Sequence, residues 1–152
     1  MAEKASDVVR TFEFTRDEFV EAPPDVVFAA ILDECGPESQ MPDGTPFPLK
    51  LEAWPGGRWF RDLGNNTGHF WGYVQVIKPG TLLELCGPAF MSYPATNFMQ
   101  YRLTSERGGT KLTFTHKAMG MIPAQHLEGM EMGWGYKLGR VRELAEKRRA
   151  GR

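Results

Sequence analysis

His116 is the residue of this sequence best suited to acid and base chemistry. The segment 111–117 alternates apolar and polar residues, and His116 is in phase with Leu112 and Phe114. Because side chains along a strand point alternately to opposite faces, this parity predicts that His116 faces inward. An inward imidazole could exchange hydrogen bonds with a carbonyl or hydroxyl of a ligand. The simpler interpretation, favoured here, is a histidine satisfied within the core.

Tyr101 is the second candidate. In the strand predicted over 97–104, Met99, Tyr101 and Leu103 share the inward side, so Tyr101 is expected near His116 as a cross-strand or diagonal neighbour. A tyrosine and a histidine beneath an apolar lid could orient a polar group or transfer protons. The alternative is a buried hydroxyl that is satisfied within the core.

Other reactive motifs are absent from the sequence. It contains no phosphate-binding loop, dinucleotide fingerprint, nucleophile elbow or HExxH motif. Cys35 and Cys86 stand apart, outside any CxxC pair and away from histidines at metal-ligand spacing. We therefore expect reduced, structural cysteines, no metal, no cofactor and no assignable catalytic residue.

The longest regular pattern is a helix predicted over 123–149. Its apolar residues recur at steps of three and four, which places them on one helix face: Leu127, Met130, Trp134, Leu138, Val141 and Ala145. Pro123 suits a helix start, and basic residues gather at the far end, where they complement the helix dipole.

Four glycines interrupt this helix: Gly129, Gly133, Gly135 and Gly139. Each costs about 1 kcal/mol relative to alanine in a helix interior, so something must offset the loss. The favoured interpretation is that the helix lies unusually close to a neighbouring backbone. The alternative is that the small residues leave a space beside Trp134 and Met130 for a guest molecule.

The rest of the chain predicts a sheet. A strand at 8–21, with a bulge or bend near 15–17, precedes a short amphipathic helix that ends near Asp33, on which Val27, Ile31 and Glu34 share a face. A loop over 35–48 carries four prolines and leads into six strands, at 49–53, 58–62, 69–77, 81–86, 97–104 and 110–117. Turns link these strands, apart from a longer loop at 87–96. This order predicts one α+β domain over 1–152, with a curved antiparallel meander over the C-terminal helix. Such packing commonly leaves a cavity.

The net charge and the apolar content of the chain limit the kinds of partner that it is expected to bind. The 152 residues carry a net charge of -1, which favours neither nucleic acid nor an acidic membrane. No apolar run is long enough to span a bilayer and the first residues lack a signal-peptide core, so a cytoplasmic protein is expected.

In the strand at 69–77, His69, Trp71 and Tyr73 share one parity, yet both faces are apolar. This pattern motivates a homodimer hypothesis through Trp59, Trp71 or their neighbours.

Several segments together resemble a known superfamily. They are APPDVVF at 22–28, PGGRWFRDLG at 55–64, GYV at 72–74 with the following Lys78-Pro79, GGTKLTFTH at 108–116, and the Gly133-Trp134 pair. In this order they resemble the START-like SRPBCC superfamily, and more closely its branch named after the C-terminal domain of the activator of Hsp90 ATPase. The likeness covers nearly the whole chain. The loop at 35–48 departs from it, because relatives often carry a second short helix there.

The resemblance implies a helix-grip fold, in which a curved antiparallel sheet grips a C-terminal helix over a largely apolar pocket. Members of the superfamily are described as lipid or hormone binders, polyketide cyclases and aromatases, or co-chaperones, so the fold does not fix the function. We expect binding of a small, mostly hydrophobic molecule between sheet and helix, with no assignable reaction. The predicted ligand contacts are Leu51, Met99, Tyr101, Phe114, His116, Met130 and Trp134. The alternatives are a cyclase or hydratase that uses His116 and Tyr101, and a co-chaperone or other protein-interaction module.

Overall fold

A seven-stranded antiparallel sheet and two helices make up residues 8–151, the part of the chain that the computed structural model describes. The elements in chain order are β1 Arg10–Val20, α1 Pro24–Glu34, β2 Lys50–Leu51, β3 Arg58–Gly64, β4 Thr67–Lys78, β5 Leu82–Gly87, β6 Ala95–Glu106, β7 Gly109–Gly120 and α2 Ala124–Ala150. The α+β helix-grip class predicted from the sequence is confirmed.

The strand order is β1-β7-β6-β5-β4-β3-β2. Each strand from β2 to β6 therefore pairs with the next along the chain, which confirms the predicted six-strand meander. β1 joins the sheet beside the last strand, with Arg10 opposite Gly120 and Val20 opposite Thr110. The inner face of this sheet meets α2, whose buried residues are Met130, Trp134, Leu138, Val141 and Ala145, as the helical periodicity predicts. Within residues 8–151, neither helix has the length and apolarity needed to cross a bilayer.

The bulge predicted in β1 near 15–17 is wrong. β1 pairs with β7 from end to end without a register shift. Phe19 was out of phase with the other apolar residues because it lies on the face opposite the buried Val20, where the Arg107 guanidinium carbon is 5.0 Å from its ring centroid. A cation–π contact on the outer face, rather than an extra residue, explains the broken pattern.

The predicted parity of β4 is also wrong. Trp71 is 6% exposed and Tyr73 is 50% exposed, so the two residues lie on opposite faces of the sheet. The register between β3 and β4 shifts at this point, since Trp59 faces Gly72 while Phe60 faces Phe70. A Cβ atom on Gly72 would lie 2.2 Å from the carbonyl oxygen of Cys86, so the backbones come too close here for any residue other than glycine.

This irregularity bears on the homodimer hypothesis. Trp59 and Trp71 pack edge to face in the core with ring centroids 5.1 Å apart, and both are buried. Neither indole offers surface to a second copy of the chain. The outward neighbours Phe70 and Tyr73 are exposed, and pairing through them stays a prediction.

Candidate functional site

His116 lies at the centre of a directional hydrogen-bond chain. The Trp134 Nε1–H can only donate, and it lies 2.8 Å from His116 Nδ1. His116 therefore carries its proton on Nε2 and donates it to Asn97 Oδ1, 2.7 Å away. Asn97 Nδ2 in turn donates to the carbonyl oxygens of Gly87 and Pro88, each at 3.1 Å. The chain ties α2 to β7, β6 and the loop after β5.

This arrangement keeps His116 neutral. The residue is fully buried, and burial lowers its pKa from 6.5 to about 4 because the charged form loses its hydration. Both ring nitrogens already have partners in the protein. The interpretation of His116 as a satisfied core residue is confirmed.

Tyr101 lies near His116 but has a different partner. Its cross-strand neighbour is Phe114, while His116 faces Met99, so the two candidates are diagonal neighbours. The Tyr101 hydroxyl oxygen lies 3.6 Å from Cys35 Sγ, and burial raises the pKa of this phenol well above its usual value. The structure does not bring Tyr101 and His116 together at one open space, which is the arrangement that the acid–base alternative requires.

Aromatic side chains fill much of the expected cavity between sheet and helix. Phe114 lies between Trp134 and Tyr101, with ring centroids 4.3 Å and 4.9 Å away. A void of about 10 Å³ remains beside them, about the space of one water molecule. Its border includes Glu34, Cys35, Trp59, Trp71, Phe90, Tyr101, Trp134 and Lys137. This void is too small for an organic ligand, so the expected position of the binding space needs correction.

A larger opening lies on the other side of Trp134. A groove of about 510 Å³ runs along α2, between the helix and the loops at 35–49 and 88–94. Its loop wall consists of Gln40, Pro42 and Phe90, and its helix wall of Gln125, His126, Gly129, Met130, Gly133, Trp134, Tyr136 and Lys137. Phe90, Trp134 and Lys137 border both the groove and the small void, so they separate one from the other.

The helix glycines show why the groove is open. A Cβ atom added to Gly129, Gly133 or Gly139 would meet nothing within 4 Å, so the favoured interpretation of a closely packed backbone is wrong for these three. Gly135 differs, because a Cβ atom there would lie 2.9 Å from the Arg16 guanidinium, but this is a side chain, so a close backbone is wrong for Gly135 as well. At Gly129 and Gly133 the open space belongs to the groove.

The seven predicted ligand contacts lie in four different surroundings. Met130 and Trp134 line the groove, and Tyr101 and Trp134 border the small void. Met99, Phe114 and His116 lie fully buried beneath them, whereas Leu51 is half-buried in β2 and packs against the core. Contact between these residues and a ligand stays a prediction.

A half-buried pairing of Lys137 with Glu34 was missed by the sequence reasoning. Lys137 Nζ lies 3.3 Å from Glu34 Oε2 and 3.4 Å from Ser39 Oγ. Burial raises the pKa of Glu34 from 4.5 to about 7, against the opposing effect of Lys137. The available signal was the position of Glu34 on the apolar face of α1, where an unpaired carboxylate would be costly.

Two further aromatic residues were also missed. The Trp71 indole nitrogen is buried and has no hydrogen-bond partner, although Trp71 borders the small void. Phe90 lies over it, with ring centroids 6.0 Å apart, on the loop after β5. Among residues 8–151, no three histidine, cysteine, aspartate or glutamate side chains gather closely enough to hold a metal ion.

Comparisons with known proteins agree with this architecture. A sequence model of the family described as Activator of Hsp90 ATPase homolog 1-like protein matches residues 21–146. No protein with a curated description matched the sequence. A solution structure of an AHSA1-like protein from Rhizobium etli is 28% identical, with a TM-score of 0.58, over 90% of this chain and 83% of that one.

Two more distant structures share the fold. An uncharacterized protein from Rhizobium leguminosarum is 16% identical, with a TM-score of 0.71, over 92% of this chain and 97% of that one. The di-domain ARO/CYC protein StfQ of the steffimycin biosynthetic pathway is 15% identical, with a TM-score of 0.64. The match covers 93% of this chain and 52% of StfQ.

Proposed function

The chain belongs to the activator of Hsp90 ATPase homolog 1-like family, and on this premise we propose that it binds a small, mostly hydrophobic molecule in the groove along α2. The groove volume of about 510 Å³ lies within the range of pockets that hold small molecules. Its walls combine apolar surface, including Met130, Trp134 and Phe90, with a few polar groups. This combination is typical of ligand sites in which apolar contact supplies affinity and polar groups set orientation.

The observation that carries the proposal is the unoccupied space above Gly129 and Gly133. Each glycine lowers helix stability by about 1 kcal/mol relative to alanine. No neighbouring atom within 4 Å of the added Cβ position explains the absence of a side chain at either site. A groove that must remain wide enough for a guest does explain it.

We predict opposite effects of alanine on stability and on binding. The double variant Gly129→Ala, Gly133→Ala is expected to raise the free energy of unfolding by up to about 2 kcal/mol, because two helix glycines are removed without a clash. It is also expected to weaken binding of the neutral fluorophore N-phenyl-1-naphthylamine about tenfold, because two methyl groups enter the groove. Urea unfolding and fluorescence titration measure the two effects.

Gly139→Ala is the matched control. Gly139 lies on the same helix and is equally free of neighbours, but it does not line the groove. The free energy of unfolding of this control should rise by up to about 1 kcal/mol. The control should bind the fluorophore as the wild type does. The proposal would be contradicted if the double variant bound the fluorophore as tightly as the wild type does. It would also be contradicted if the wild type did not bind the fluorophore.

Two protein partners are also predicted for this chain. A chaperone partner and a second copy of the chain both stay predictions. Recovery of a chaperone in a pull-down would support the first, and a dimer mass in light scattering would support the second. The exposed Phe70 and Tyr73 are the residues to change if a dimer is found.

A further inference from the structure

We propose that the ligand of this groove ends in a single carboxylate, which pairs with Lys137 at the point where the groove approaches Glu34. This inference rests on the proposed function and specifies the chemical class of its ligand. Among the described residues that line the groove, Lys137 is the one with a formal charge when histidine is neutral. The ligand is therefore an acid with a linear or aromatic hydrocarbon body.

Lys137 is placed to serve such a ligand. Its side chain is 26% exposed while that of Glu34 is 4% exposed, so the lysine extends between the open groove and the buried carboxyl. An ammonium group has three donors, and Lys137 has two hydrogen-bond partners, Glu34 and Ser39, both more than 3.2 Å away. These long contacts leave a donor for a carboxylate in the groove.

The internal partner of Lys137 is a weak competitor. Glu34 is buried, and because its pKa is raised to about 7, a substantial fraction of the molecules carry a protonated carboxyl at neutral pH. In those molecules the charge of Lys137 has no anion at this position. A ligand carboxylate in the groove would supply this missing anion. One of its oxygens contacts Lys137, while the other can stay hydrated.

The geometry suits one charged end and a long apolar body. From His126 to Lys137 the groove follows 12 residues of helix, a rise of about 16 Å. An extended ten-carbon chain is shorter than this rise and so fits along the groove, and the wall between these two residues contains Gly129, Met130 and Gly133. Decanoate and 1-decanol are therefore matched probes that differ at the head group.

The test measures displacement of N-phenyl-1-naphthylamine by the two probes at pH 8. In the wild type, decanoate should bind more tightly than 1-decanol. Lys137→Met should weaken decanoate binding about tenfold, and Glu34→Gln should strengthen it about threefold, because it removes the competing anion. Neither change should alter 1-decanol binding by more than about twofold. Lys137→Arg keeps the charge and should restore the preference for decanoate.

The pH dependence gives a second readout. Lowering the pH from 8 to 6 should tighten decanoate binding, because Glu34 becomes protonated while the ligand stays ionised. The groups acting on Glu34 are Lys137 and Arg140 of α2, and its neighbours Cys35 and Tyr101 also interact with it. His126 lines the other end of the groove, so the measurement is repeated in His126→Gln, which should keep the effect. Glu34→Gln should lose it.

The outcomes separate the two proposals. If both probes displace the fluorophore with equal affinity and the Lys137 and Glu34 variants change neither, the groove binds apolar molecules but the inference is wrong. If neither probe nor the fluorophore binds the wild type, the proposed function fails and the inference fails with it. Opposite shifts of decanoate affinity in Lys137→Met and Glu34→Gln, with 1-decanol unaffected, support both.

Discussion

Replacing His116 with alanine is expected to lower the free energy of unfolding by about 3 to 5 kcal/mol. The substitution leaves the Trp134 indole N–H and Asn97 Oδ1 without partners in the buried interior, and each unsatisfied group costs about 1 to 3 kcal/mol. It also opens a cavity beneath α2, since His116 is fully buried. A loss of this size is a large part of the stability of an ordinary domain.

The glutamine variant is the matched control for this prediction. A glutamine side chain has one acceptor and two donors, so it can accept from Trp134 and donate to Asn97. His116→Gln should therefore lose clearly less stability than His116→Ala in urea unfolding at pH 7.5. A loss below about 1 kcal/mol for the alanine variant would show that the hydrogen-bond chain contributes little.

The second large effect is a pair of opposed pH dependences in stability. Burial lowers the pKa of His116 to about 4. As the pH falls from 6.5, His116 therefore binds a proton in the unfolded chain but stays neutral in the folded protein. The contribution of His116 to the free energy of unfolding is therefore complete above pH 6.5 and is lost as the pH falls toward 4. At 1.36 kcal/mol per pKa unit, the full effect is about 3 kcal/mol.

Glu34 acts in the opposite direction. Its pKa is raised to about 7 in the folded protein, so between pH 4.5 and 7 the unfolded chain releases a proton that the folded protein retains. Its contribution is complete below pH 4.5 and is lost as the pH rises through 7. In the wild type the two slopes largely cancel between pH 4.5 and 6.5.

Single substitutions should expose each slope. Glu34→Gln leaves His116, and its stability should rise with pH between 4 and 6.5. His116→Gln leaves Glu34, and its stability should fall with pH between 4.5 and 7. The double variant should be nearly independent of pH between about 5 and 6.5, above the range in which the lowered pKa values of Asp43, Glu52 and Asp62 act. Four parallel curves of unfolding free energy against pH would contradict both assignments.

The sequence predicted the fold well because the relevant signals are local and periodic. Alternation placed His116 and Tyr101 inward, and the steps of three and four identified the buried face of α2 from Met130 to Ala145. The prediction failed in β4 because the register shifts beside Gly72 and again between Val74 and Val76, and each shift moves the side chains that follow it to the other face. Beside the first shift the backbone of Gly72 lies against that of Cys86, a contact between residues that are not neighbours in the chain.

The site was harder to predict than the fold. Glycines in a helix indicate either close packing or open space, and the choice depends on atoms from other segments. Arg16 of β1 fills the space beside Gly135, whereas nothing approaches Gly129 or Gly133. Similarly, the sequence shows that Glu34 lies on an apolar face but cannot show that Lys137, on the last helix, reaches it.

The pairing of β1 with β7 has a consequence for folding in the cell. Residues 10–20 leave the ribosome before the other strands of the sheet, but their partners at 110–120 are made about 100 residues later. At usual rates of synthesis the first strand waits roughly 5 to 20 s on the ribosome before its neighbour exists. Its alternating charges, including Glu13 and Asp17, discourage premature pairing with other nascent chains during that delay.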